Sequence, residues 1–425
     1  MAGSNGSTTG GAANATGGTG SSTAGAHAAG GIGTSGASAT SAGAPGTSGA
    51  PATSGGAPGT SGATGAAGKG GATNAAGAAG KGGTTGAAGA TGTSGATGAA
   101  GAGTLGSCTT PPNGSALVGW ASQSGMGVTT TTGGGNATPQ MVTTLAAFTS
   151  AVSGTAAKVI YVTGKFANGK VNIGSNKTIV GLCGAEFHGH LGLSGSSNVI
   201  IRNLKIVGYG VGDCSLDPDY TSVVGCSSGN DAVTINNDSH HIWVDHCDIS
   251  DGSDGNLDIT NGSDFVTVSW TKFSYSTMRT DPVTGSTGHR FSNLIGAADG
   301  LAEDAGHLNV TWHHDWWADN VAERMPRSRD GKIHVVNNLF TAAGNDYCTN
   351  SGNLSSLLVE NNIYVGVKNP LQEDADGNML SRNNVFTNTT GSKTSGGTGF
   401  SAPYALTPDA TGNLEATIRA QAGPR

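Results

Sequence analysis

Three aspartates, Asp231, Asp254 and Asp258, fall within 28 residues among short Val/Ile-rich runs. Three arginines, Arg324, Arg327 and Arg329, bracket Pro326 in the segment ERMPRSRDGK. Carboxylates are hard oxygen donors, and three that converge with room for water suit calcium, which accepts irregular geometry and about six to eight ligands. Without a cation the same groups would repel one another and raise each other's pKa. Guanidinium groups fork onto carboxylates in two-point contacts. Together the two triplets suggest a site that holds a divalent cation beside an anionic polymer whose repeating unit carries a carboxylate. Each also has a plainer reading: DGSDG is rich in turn residues, and RMPRSR, flanked by Glu323 and Asp330, can be a solvated basic turn.

For the two clusters to meet, the chain between them must return repeatedly to one face. From Lys158 onward, short β-branched runs alternate with Gly, Asn, Asp and Ser, among them KVIYVTG, NVIIRNLKIVG, HIWVDHCDI, FVTVSWTKF and KIHVVNNLF; these read as strands. Aligned on the large residue that closes each run, Asn203, His246, Trp270, His314, Asn337, Asn361 and Asn383 form one column, with steps of 43, 24, 44, 23, 24 and 22 residues. A unit of 22 to 24 residues, twice interrupted by an inserted loop or an unmarked extra turn, indicates stacked coils. The expected fold is all-β: a right-handed, single-stranded parallel β-helix.

Residues one coil apart in such a solenoid lie about 4.8 Å apart. Repeated asparagines in the column are therefore expected to form a hydrogen-bonded ladder. On the same count Asp254, 23 residues after Asp231, lies one rung away, and Arg324, 66 residues after Asp258, about three. Thr138 as N-cap and Pro139 in the first turn predict an N-terminal capping helix over 139–152. The tail PYALTPDATGNLEATIRAQAG is expected to fold back over the coils, since solenoid ends and edges need covers.

Residues 1–107 are almost entirely Gly, Ala, Ser and Thr, with Lys69 and Lys81 their only charged side chains besides the terminus. Such a segment cannot bury enough surface to offset chain entropy and reads as a disordered linker. The remaining 108–425 form one large domain with 18 basic against 27 acidic residues, a balance of −9 that disfavours a nucleic-acid partner. All six cysteines lie in it; Cys214 and Cys226 are the expected disulfide, clipping the loop DCSLDPDYTSVVGC and implying an oxidising compartment. No apolar run reaches the length of about 18 residues that a membrane-spanning helix needs.

The segments IWVDHCDISDG, DGNLDITNGSDFVTVSWTKFS, HRFSNLIGAADG and RMPRSRDGKIHVVNN, in this order, resemble the motif set of the pectate lyases of polysaccharide lyase family 1. The resemblance covers roughly 159–386 and implies the parallel β-helix already suggested by the spacing. It implies Asp231, Asp254 and Asp258 as calcium ligands, Arg324 as the base and Arg329 as a holder of substrate carboxylate. Arg327 belongs to the same basic motif and is expected on the substrate. The implied reaction is β-elimination on polygalacturonate or pectin, in a secreted, monomeric enzyme. Two departures stand out: His289-Arg290 replaces the usual lysine before LIG, with Arg290 a substitute carboxylate clamp, and Asp330 stands where an aromatic residue is common. The rival readings are a pectin lyase acting on methylated polymer without calcium, and a non-catalytic polysaccharide-binding β-helix. Asp245, His246, His313, His314 and His334, and the tryptophans Trp312, Trp316 and Trp317, are assigned to the scaffold.

Overall fold

The computed structural model describes residues 110–287 and 289–425, so the expected 1–107 linker and Cys108 lie outside the described residues. Ten strands stack in parallel in one sheet, running from Pro139–Val142 through Ser197–Arg202, His240–Asp245, Asp264–Ser269, Val310–His313 and Lys332–Val336 to Asn378–Arg382. Partners in this sheet come from successive coils, as in Val199 beside Ile242, Val266, Val310, Ile333, Leu357 and Met379. A second sheet has 15 strands because the long strand Glu186–Ser194 joins two stacks. Its first residues pair with Lys205–Val207 and its last with Val233–Asn236. One stack continues through Asp248–Ser250, Lys272–Ser274 and Trp316–Trp317; the other through Leu257–Ile259, Leu294–Ile295, Arg327–Ser328, Thr349–Ser351 and Leu371–Glu373. Three stacks of parallel strands, each fed once per coil, make the parallel β-helix.

Side chains in equivalent positions fill the interior as ladders. Phe273, Trp317, Phe340, Tyr364 and Phe386 stack ring on ring, with successive centroids 5.7, 4.7, 4.2 and 5.2 Å apart. Trp312 and Trp317 are fully buried, and Trp316 packs with the C-terminal helix, so the tryptophans do belong to the scaffold.

The aligned column has a definite conformation: all seven residues adopt left-handed backbone, φ 50–59°. It marks the corner between the first stack and the second. Asparagine tolerates this region best, which explains its recurrence, while His246, Trp270 and His314 stack on one another there. The hydrogen-bonded ladder lies one residue later than expected. Asn362 Oδ1 accepts from Asn338 N and Nδ2 at 2.8 and 3.0 Å, and Asn384 Oδ1 from Asn362 N and Nδ2 at 2.9 and 3.0 Å. The corner asparagines Asn337 and Asn361 donate to Asp409 O and hold the tail, and Asn337 also donates to Asn361 O on the next coil at 3.3 Å.

The two long steps are single coils with inserted loops, because Ile201 pairs directly with Val244 and Val268 with Trp312. The first insertion carries the expected Cys214–Cys226 disulfide; Cys247 and Cys348 are buried thiols. At the N-terminal end the expected helix over 139–152 is corrected. Pro139–Val142 is a strand paired with residues 159–162, and the helix is Leu145–Val152, capped by Thr144 Oγ1 accepting from Ala147 N at 3.2 Å. Proline is acceptable there because the strand is at the sheet edge, and ladder pairing outweighs the local helix signal. Phe148 still covers the core, 5.7 Å from both Phe166 and Phe187. The tail folds back as expected: Tyr404 Oη bonds Thr311 Oγ1 at 2.6 Å, and Leu414 and Ile418 pack on Leu339 and Ile363.

Candidate active site

The acidic residues meet at the entrance to the third stack. Asp231 and Asp254 lie on adjacent coils tied by Ser253 N to Asn230 O at 2.8 Å and Ala232 N to Gly255 O at 3.1 Å. Asp258 pairs in register with Thr234, whose hydroxyl donates to Asp231 Oδ2 at 2.9 Å. Asp258 Oδ1 accepts from Leu294 N at 2.9 Å, and Asp254 Oδ1 lies 3.0 Å from His289 Nε2. Gly255 forms the floor: a β-carbon there would sit 2.9 Å from Asp231 Oδ1 and 3.1 Å from Asp258 Oδ1, so both oxygens face one small space that only glycine leaves open.

The electrostatics agree with this convergence. Asp231 is held well above the usual carboxylate range, first by burial, then by the charges of Asp258 and Asp254. Asp258 is pushed up to about 7, chiefly by burial, with Arg324 opposing and Asp254 adding to the rise. Asp231 Oδ1 is buried and lacks a hydrogen-bond partner among the described residues. No three His, Cys, Asp or Glu side chains among the described residues are close enough to form a ready-made metal cage. Asp231 and Asp258 share the space over Gly255, while Asp254 pairs with His289. The orphaned Asp231 oxygen and the all-oxygen donor set fit a hard cation.

The basic residues follow along the same stack, closer than anticipated. Ile259 pairs with Ile295, and Asn293 N donates to Arg324 O at 2.7 Å, so two coils, not three, separate Asp258 from Arg324. The coil from Ile259 to Ile295 is lengthened by its inserted loop, which a constant 22- to 24-residue repeat could not anticipate. Arg324 takes left-handed backbone, φ 62°, an uncommon state for a long side chain that costs on the order of 1–3 kcal/mol. Its guanidinium carbon stands 4.0 Å from the centroid of the Phe291 ring, and its Nε is buried without a hydrogen-bond partner among the described residues. Arg329 is tied to the neighbouring loop through Asp299 Oδ1 at 3.1 Å and the carbonyls of Gly296 and Ala297 at 2.8 and 2.9 Å. Its pKa is lowered, first by burial and then by the charge of Arg327.

Arg290 sits differently from an exposed clamp. It is 3% exposed, with Nε donating to Asn320 O at 2.6 Å. Asp330 is also buried and accepts from Asn353 Nδ2 at 3.0 Å. Asp245 is an internal anchor, bonded to Arg202, Ser115 and Ser269. Thr234, Phe291 and Asp299 went unnoticed in the sequence, and His289 was noticed only as a departure from the family motif, not as a partner of Asp254. Only Thr234 had a usable signal, since it lies one coil before Asp258; the others sit in loops whose path the repeat does not set.

Comparison with known proteins places the chain in a family. Solved structures that it resembles are parallel β-helix enzymes: a pectate lyase from Bacillus sp. N165 in complex with trigalacturonate, 24% identical, TM-score 0.57, covering 73% of this chain and 99% of that one; and a pectate lyase from Acidovorax avenae subsp. citrulli, 17% identical, TM-score 0.57, covering 74% and 95%. The fold is thus the one these proteins share. The family model described as pectate lyase matches residues 93–423. Pectate lyase A of Aspergillus niger is 36% identical over 320 residues, 72% of this chain and 87% of that protein. Pectate lyase E of Dickeya chrysanthemi is 34% identical over 304 residues, 60% and 69%. The chain belongs to the pectate lyase family.

Proposed function

We propose that the protein is a calcium-dependent pectate lyase that cleaves α-1,4-linked polygalacturonate by β-elimination. The carrying observation is the juxtaposition of an unpaired, buried Asp231 oxygen over Gly255 with Arg324, half-buried and with its Nε unpaired among the described residues, further along the same stack. Asp231, Asp254 and Asp258 would hold calcium, which supplies positive charge for a uronate carboxylate and thereby acidifies the adjacent C5 proton. Arg324 takes that proton, the C4 glycosidic oxygen leaves, and a 4,5-unsaturated oligomer results. Because guanidinium is ordinarily protonated, this role requires a rate that climbs toward alkaline pH. Arg327 and Arg329 orient the chain by pairing with uronate carboxylates. The Cys214–Cys226 disulfide supports secretion into an oxidising compartment, with the enzyme acting as a monomer.

The test is ultraviolet absorbance of unsaturated uronides, measured on polygalacturonate and on methylated pectin, with and without chelator. Chelator-sensitive product from polygalacturonate, lost in Arg324→Lys with unchanged folding, is expected. Chelator-resistant product from pectin alone would instead mark a pectin lyase, and binding without product a non-catalytic module.

A further inference from the structure

Each of the three carboxylates has one oxygen held by a donor. Thr234 Oγ1 donates to Asp231 Oδ2 at 2.9 Å, Leu294 N to Asp258 Oδ1 at 2.9 Å, and His289 Nε2 lies 3.0 Å from Asp254 Oδ1. The first two donors sit on strands of the coils, the third in an inserted loop. An ionised carboxylate only accepts, so Nε2 is the donor in that last contact.

The same imidazole has a second neighbour. Its ring centroid lies 4.4 Å from that of Phe291, with the planes tilted by 46°. Phe291 bridges in parallel to Glu323 on the next coil, which brings its ring against Arg324, whose guanidinium carbon stands 4.0 Å from the centroid. One series of contacts therefore runs from Asp254 through His289 and Phe291 to Arg324. His289 is buried, and its carbonyl accepts from Arg279 Nε and Nη2 at 3.2 and 3.0 Å, so both the ring and its backbone are held in place.

We propose that His289 is a positioning residue with two tasks: its Nε2 aims Asp254 at the cation, and its ring steadies Phe291 as the platform for Arg324. A carboxylate held through one oxygen keeps the other directed at the metal, and supporting donors of this kind typically carry about 10- to 100-fold in metal affinity. A phenyl ring packed against both an imidazole and a guanidinium loses the freedom to turn. Arg324, whose Nε has no hydrogen-bond partner among the described residues, takes its aim from that ring. The inference rests on the proposed function for the cation and for the task of Arg324, and adds that one side chain sets the geometry of both.

Two substitutions separate the tasks. His289→Phe keeps a ring and removes the donor, whereas His289→Gln keeps an amide donor of similar reach and removes the ring. Three measurements on the full chain read them out: calcium binding by titration calorimetry without polymer, kcat on polygalacturonate at saturating calcium, and the Arg324 Nε–H signal by NMR, which the ring current of Phe291 marks. His289→Phe should raise the calcium Kd about tenfold or more, and His289→Gln should raise it far less. His289→Gln should instead shift the Arg324 signal and lower kcat by roughly two- to tenfold, within the range that one ring–cation contact spans, with smaller changes of both in His289→Phe. Calcium binding in His289→Phe that equals or exceeds wild type would make the imidazole a bystander or a competitor for Asp254, and overturns the first task. Equal losses on every measurement in the two variants would reduce His289 to packing and overturn the division. If wild type binds calcium but turns over no polymer, the lyase reading fails, while calorimetry and NMR still decide the role of His289.

Discussion

Asp315→Asn should stabilise the protein, by an amount that grows with pH. Asp315 is fully buried inside the corner ladder, between Thr271 on one coil and Asn338 on the next. Its amide donates to Asn338 Oδ1 at 2.7 Å, its Oδ1 accepts from Thr271 N at 2.8 Å, and its Oδ2 has no partner among the described residues. Burial, with Asp245 adding, holds the carboxyl well above the usual range. A raised folded-state value means the carboxyl's contribution is fully present below the unfolded-state pKa and is lost as pH rises through the folded one. Asparagine does not titrate and brings an Nδ2 donor. In the neighbouring rungs that donor reaches a carbonyl of the preceding coil, Asn338 to Trp312 O at 3.0 Å and Asn362 to Val335 O at 2.9 Å. The equivalent acceptor for residue 315 is the carbonyl of Val268. One net hydrogen bond contributes about 1 kcal/mol, or roughly 1–2 °C in Tm for a domain of this size, and the avoided cost of ionisation adds to it as pH rises above the range of an unfolded carboxyl. Thermal unfolding of both proteins at acid and alkaline pH checks this. A lower Tm for the variant, or the same gain at every pH, would refute the assignment of Asp315 as a neutral ladder residue.

Calcium should raise Tm more at pH 8 than at pH 5: the raised values of Asp231 and Asp258 mean that, without a cation, their contribution is present in acid and is lost as pH rises toward and past about 7. A calcium effect independent of pH would separate these carboxylates from the metal. Phe291→Leu removes the ring under Arg324, an interaction of about 0.5–2 kcal/mol. If the ring positions the reacting guanidinium, kcat falls about two- to thirtyfold with KM nearly unchanged; a change confined to KM would sink that role.

The fold was legible because a solenoid writes its coil length into the sequence. The column from Asn203 to Asn383 was correctly grouped, and it marks the left-handed corner. Its bonding was misplaced by one residue because sequence shows which residues recur, not which of two adjacent columns turns its amides along the axis. The aspartates were legible for the same reason, Asp231 and Asp254 being separated by one uninterrupted coil. Arg324 was set a rung too far because the insertion before Leu294 was spread over the repeat. Pro139 illustrates a different limit: a local helix signal lost to pairing with a strand 20 residues away, which no local signal contains.

The inserted loops, though irregular, are not independent of the site. Arg279 is 3% exposed and ties three segments together: Nη1 donates to Gly210 O at 3.0 Å in the first insertion, Nη2 to Ser253 O at 2.6 Å beside the aspartates, and Nη2 and Nε to His289 O at 3.0 and 3.2 Å in the second. Cys226 N also donates to Asp281 Oδ2 at 3.2 Å, so the disulfide-clipped loop holds the second insertion directly. His289, positioned by this network, meets Asp254, whose side chain is one-third exposed. The two coils therefore fix Asp231 and Asp258 by register, while the loops fix Asp254 through His289. A β-helix supplies axial spacing in steps of one rung, and adjustments finer than a rung must come from side chains supported outside the ladder. On that argument the two insertions are part of the site's construction, and lengthening either one should disturb Asp254 before it disturbs the fold.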